Sequence, residues 1–191
     1  LVAFPAYAKL NLGIDNTVII QGLLACSGIG IALGSMLAGK TSERHIETGL
    51  IPFGAIGVVL ALLLIPQLQS HVLIAFSFIA LGFCGGMFIV PLNALIQFHA
   101  PDERRGTILA GNNWVQNLVM LCFLGLALSF AYSGINSLGL FHLLTLAAAL
   151  GAAYTIIRLP QSLVRLMVSF IFAGRYRVEV LGFKNLPSQG A

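Results

Sequence analysis

VLIAFSFIALGFCGGMFIVPLNALIQF, residues 72–98, contains no Asp, Glu, Lys or Arg. As an α-helix rising 1.5 Å per residue it reaches about 40 Å, more than the ~30 Å hydrocarbon core of a bilayer. Four further runs, 18–38, 49–68, 108–131 and 138–157, are about as long as a crossing needs and are equally free of charge. A charge at a helix centre costs about 2.5–3.5 kcal/mol on the insertion scale, so five uncharged runs are a strong signature. The chain is predicted to be an all-α integral membrane protein with five complete transmembrane helices.

Composition agrees. The 191 residues are 58% hydrophobic and 8% charged, with a mean hydropathy of +0.96, whereas a soluble domain carries about 25% charged residues. The charges fall between the runs. Lys40 and Arg44 follow the first, Arg104 and Arg105 follow the third, and Arg158, Arg165, Arg175, Arg177 and Lys184 follow the fifth. The connectors 69–71 and 132–137 hold neither Lys nor Arg. Nine of the ten basic residues thus share one face, which the positive-inside bias makes cytoplasmic, with a cytoplasmic tail. A net charge of +4 then reflects loops facing an anionic leaflet, and no nucleic-acid partner is implied.

Residues 1–12 are apolar but too short to span, and the chain opens on Leu1. Because the first full run must begin outside, this segment is expected to be the outer end of a preceding helix. No secretory signal pattern precedes it. Cys26, Cys84 and Cys122 all lie inside spans without metal-ligand spacing and are expected to pack as small residues. Neither metal nor cofactor is expected. Gly28, Gly30 and Gly34 form GxGxxxG within an apolar helix, with no strand before them, which excludes a dinucleotide fingerprint.

Inside the spans, polar residues fall at helical spacing. Asn113, Gln116 and Asn117 share one face of the fourth run, beside Asn112 and Trp114. Asn93 and Gln97 lie four apart in the third, after Pro91, where a kink is expected. Amides in lipid turn toward protein, where they either bridge helices or line a substrate pathway. Both readings stand. Gly30 with Gly34 and Gly82 with Gly86 form GxxxG pairs, extended by Ser35 and Gly39, and predict close helix approach. His71 and His99 sit at span ends and His142 near the start of the last span, at interfacial positions. Lys9 is the one basic residue on the outer side, placed to snorkel to headgroups or to contact a lipid phosphate. No complete span holds Asp or Glu, so proton coupling, where present, needs a carboxylate elsewhere.

The connectors carry a family resemblance. GSMLAGKTSER (34–44) resembles a degenerate signature loop of the major facilitator superfamily, and APDERRGTILAGNN (100–113) resembles that superfamily's junction between its tenth and eleventh helices. The resemblance implies the C-terminal six-helix half of that fold, with five complete helices and the end of a sixth over residues 1–157. GKTSERHIETGLIPFGAIG (39–57) with AGNNWVQNLVM (110–120) is similar to bacterial lysophospholipid transporters of the superfamily.

The tail extends the likeness. Residues 161–174 form an apolar helix candidate interrupted by Arg165, too short to span, within an interfacial linker over 158–177. RYRVEVLGFKNLPSQG (175–190) then alternates at Val178 and Val180 as a strand does, and 178–191 looks like the entry to a glycerolipid acyltransferase domain. That domain's HxxxxD box is absent from this chain, so acyl transfer is not expected of it.

The resemblance implies a carrier in the bacterial inner membrane that moves lysophospholipids to the cytoplasmic leaflet for reacylation. Its partners would be membrane lipids, an N-terminal transporter half and a downstream acyltransferase. Lys9, Asn93, Gln97, Asn113, Gln116 and Asn117 become candidates for the substrate pathway, and Lys40, Arg44, Arg104 and Arg105 for gating or headgroup contacts. Two rivals stay open: a carrier for a soluble metabolite or drug, and a non-transporting anchor for the acyltransferase.

Overall fold

The computed structural model describes residues 4–42, 46–133 and 137–160, together with residues 164, 166 and 168. Its helices are α1 (Phe4–Asn11), α2 (Thr17–Thr41), α3 (Leu50–Leu64), α4 (His71–His99), α5 (Arg105–Tyr132) and α6 (Ser137–Arg158). The last five coincide with the five predicted runs to within a few residues, and all five segments are long and apolar enough to cross a membrane. α1 covers most of the described part of the segment expected to be the outer end of a preceding helix.

Local chemistry sets the helix ends. Asn16 caps α2 by accepting from the Val18 N–H at 2.9 Å. Gly13 takes φ +64, a conformation that suits glycine, and the Ile14 N–H turns back to the Ala8 carbonyl at 3.0 Å. The second run was predicted to continue to residue 68, but α3 stops at Leu64 and tightens into a 3-10 turn, Ile65–Gln67. Pro66 explains the change, since it has no N–H to donate back into the helix. The kink expected at Pro91 does not interrupt α4, which runs through that buried proline as one helix.

Small residues build the centre of the bundle. Ile20, Leu23, Ser27, Gly30, Gly34 and Ala38 form the buried stripe of α2, and Ile74, Phe78, Gly82, Gly86 and Pro91 that of α4. A Cβ added at Gly30 would collide with the Ile79 carbonyl, one at Gly34 with the Phe83 carbonyl, and one at Gly82 with the Ser27 carbonyl. A Cβ at Gly86 would lie 2.7 Å from both the Ile31 carbonyl and the Ser35 N. The partners advance together along both helices, so α2 and α4 run parallel with their backbones in direct contact. The predicted GxxxG approach is this seam.

α3 packs antiparallel on the other side of α4. A Cβ on Gly54 would sit 2.7 Å from the Cys84 carbonyl, and Gly57 faces the Cys84 sulfur. α6 lies against α3. Two buried clusters lie toward opposite ends of the bundle. Ala38, Leu50 and Met87 form one at the end carrying the basic connectors, with Leu166 packed against it. Phe4, Tyr7, Ile14, Ile20, Ile65, Ile74, Phe78, Leu140 and Phe141 contribute to the larger one at the opposite end.

α5 stands apart. None of its apolar window is buried, against 39% for the Leu50–Gln67 window. It touches α4 and α6 marginally, with Ala127 and Phe130 resting on the larger cluster. Beyond α6, Pro160, Val164, Leu166 and Val168 are helical. The remainder of the predicted interfacial linker, and the strand-like Val178 and Val180, lie outside the described residues.

Candidate functional site

α5 positions three amides by helical spacing alone. Asn113, Gln116 and Asn117 lie about 12 to 18 Å along the axis from Arg105, which places them well inside the hydrocarbon. All three are exposed. The Asn117 Nδ2 donates to the Asn113 main-chain carbonyl at 3.0 Å, which leaves the Asn117 Oδ1 directed away from the helix backbone. Trp114 and Met120 on the same helix are each 67% exposed. Amides at this depth require protein or a water-filled cavity beside them, because hydrocarbon offers no hydrogen-bond partner. The α5 stripe can therefore face a polar headgroup, water or another polar helix.

The α4 amides occupy a separate place. Asn93 follows Gly86 by seven residues and so continues the face turned to α2, in the last two turns of α4 together with Gln97. Asn93 is half-buried and Gln97 exposed. Among the described residues, no hydrogen bond joins the α4 amides to those of α5. The amides of the third and fourth runs thus form two groups on the same half of the bundle.

The cationic candidates divide by end. Lys9 is exposed in the last turn of α1, at the end away from the basic connectors and from both amide groups. Lys40 is exposed in the last turn of α2, where the helix dipole favours a cation. Arg104 is exposed, while Arg105 pairs with Asp102 at 2.6 Å at the start of α5. With side chains 48% and 86% exposed, that pair is worth about 0–1 kcal/mol. Arg44 lies outside the described residues.

Two features escaped the sequence reading. The Arg158 guanidinium sits 5.5 Å above the Tyr154 ring, a cation–π contact at the basic end of α6. An aromatic four residues before an arginine at a helix end is its signal. A shallow apolar cavity of about 280 Å³, lined by His71, Val72, Ala75, Phe76 and Ile79, opens at the other end of the bundle. Its signal is the apolar i, i+3, i+4 track following an interfacial histidine.

The profile of the family described as Major Facilitator Superfamily matches residues 1–172. The chain is 36% identical over 123 residues to proteins named lysophospholipid transporter LplT from Salmonella arizonae, Salmonella paratyphi B and Salmonella newport. The alignment covers 63% of this chain and 30% of each relative, so the chain spans about a third of the length of the curated relatives it matches. No solved structure matches it.

Proposed function

Since the chain belongs to the Major Facilitator Superfamily, we propose that it is part of a membrane transporter whose cargo is a lysophospholipid, carried from the outer to the cytoplasmic leaflet. The observation that carries this reading is the uncovered amide face of α5, a polar stripe held inside hydrocarbon by an otherwise apolar helix. A one-chain lipid has matching chemistry: a polar headgroup to slide along amides and an acyl chain that can remain beside the exposed apolar flank. The similarity to proteins named lysophospholipid transporters supports the same cargo.

In this reading the chain is the C-terminal half of the carrier, with the basic connectors cytoplasmic in a bacterial inner membrane. Asn113, Gln116 and Asn117 line the pathway from one side, and Asn93 and Gln97 lie near its cytoplasmic mouth. Lys9 meets the lipid phosphate at the outer surface, and Lys40, Arg44, Arg104 and Arg105 meet headgroups or gate on the inner one. An N-terminal half would cover the free face of α5. The two halves would rock about a midplane site. The segment beyond residue 177 leads into a cytoplasmic acyltransferase that reacylates the delivered lipid, as its resemblance to such domains implies.

Proteoliposomes containing the full-length protein and labelled lysophosphatidylethanolamine test the proposal. Protein-dependent loss of label from the outer leaflet is expected. Movement of a soluble solute with no movement of the lipid would overturn it.

A further inference from the structure

At the end of the bundle carrying the basic connectors, the chain beyond α6 folds back onto other helices. α6 stops at Arg158, and the Leu159 N–H still reaches the Thr155 carbonyl at 2.9 Å. Pro160 has no N–H to continue that ladder, yet it is itself helical after the break at Leu159, as suits a proline in the first turn of a new helix. A straight continuation of α6 would carry Leu166 about 12 Å past Arg158 along the axis. Instead Leu166 packs against Ala38 in the last turn of α2, Leu50 at the first position of α3 and Met87 of α4.

The connector between α2 and α3 prepares this seat. The Ser42 N–H bonds the Ala38 carbonyl at 3.0 Å, the Ser42 Oγ accepts from the Glu47 N–H at 3.4 Å, and the Leu50 N–H bonds the Glu47 carbonyl at 3.2 Å. A run of hydrogen bonds across the base of the connector thus links Ala38 to Leu50. Ala38, Leu50 and Met87 are buried, and Leu166 is half-buried against them. Val164 and Val168, each two residues from Leu166, fall on the opposite helical face and are 57% and 46% exposed. One side of this stretch therefore meets protein while the other is free to meet lipid, which gives an apolar segment too short to span a place at the membrane surface.

We propose that Leu166 is an anchor, and that the junction of α2, α3 and α4 is a docking surface for this chain's own C-terminal region. The anchor shortens the tether on whatever follows residue 177. From residue 166 to residue 178 the chain reaches at most about 43 Å, against about 72 Å from Arg158, taking about 3.6 Å per residue. The C-terminal region is thereby held at the end of the bundle where the proposed cargo emerges. That consequence rests on the transport reading, whereas the anchor itself does not.

The test uses the full-length protein in liposomes, with Cys26, Cys84 and Cys122 replaced and spin labels at Thr41→Cys and Val168→Cys, both exposed sites. One narrow distance is expected, broadened in Leu166→Ala and kept in Val164→Ala. Hydrogen exchange gives a second readout: Leu166→Ala should speed backbone exchange over residues 164–168 about tenfold, as loss of a packed leucine implies, and Val164→Ala should change it by less than about twofold. A broad distribution in the otherwise unaltered protein would overturn the anchor, as would equal effects of the two substitutions. The unaltered protein's distance stands even where Leu166→Ala is not recovered folded. Neither readout needs a cargo, so failure here counts against the anchor and leaves the lipid reading standing.

Discussion

At Gly82 a single added methyl group would collide with the Ser27 carbonyl, whereas at Gly85 it would meet open space. The two glycines sit three residues apart on one helix and so separate packing from propensity. Gly82→Ala is expected to destabilise the purified protein in detergent by about 1–3 kcal/mol, the usual range for overpacking. Gly85→Ala should be neutral or stabilising by up to about 1 kcal/mol, because alanine favours the helix. Thermal unfolding of both variants checks this, and equal losses would contradict the seam. Asp102→Asn makes a complementary case. Its ion pair with Arg105 is exposed to water, so the variant should lose less than about 1 kcal/mol in the same measurement. The glycine seam was legible because GxxxG has a period. The hydrogen bond from the Tyr7 hydroxyl to the Pro66 carbonyl was not, since one aromatic in a short apolar segment carries no pattern that names a carbonyl 59 residues away.

The helices themselves were legible to within a few residues, because a long uncharged run with basic residues at one end has few alternatives in a membrane. The exception was the end of α3, where Pro66 converts the last turn to a tighter form. What sequence spacing could not settle is which face of a helix finds cover. The amides of α5 were expected to turn toward protein, and among the described residues Asn113, Gln116 and Asn117 are exposed. Replacing Asn113, Gln116 and Asn117 together by Leu is expected to leave membrane insertion intact and lower lysophospholipid uptake by roughly tenfold or more, as loss of several hydrogen-bonding groups implies. Uptake by the full-length protein at matched expression checks it. Unchanged uptake would remove the stripe from the pathway. A non-transporting anchor would show no uptake to lose.

Across the whole molecule, sidedness links the charge pattern to transport direction. With the native cysteines replaced, Lys40→Cys and Arg104→Cys are expected to react with an impermeant maleimide only from the cytoplasmic face, and Gln69→Cys and Ser133→Cys only from the outside. All four are exposed, so burial does not confound the assay. The opposite labelling would invert the proposed direction of lipid movement. The parallel pairing of α2 with α4 bears on biogenesis as well. Helices that point the same way cannot be joined by a tight hairpin, so α3 must be inserted between them before their glycines meet. About fifty residues separate the glycines of α2 from those of α4, so during synthesis the small-residue groove of α2 stays without its partner until α4 is made. A pause in translation before residue 71 is expected to prolong the interval in which α2 lacks its partner and can be captured by another membrane helix.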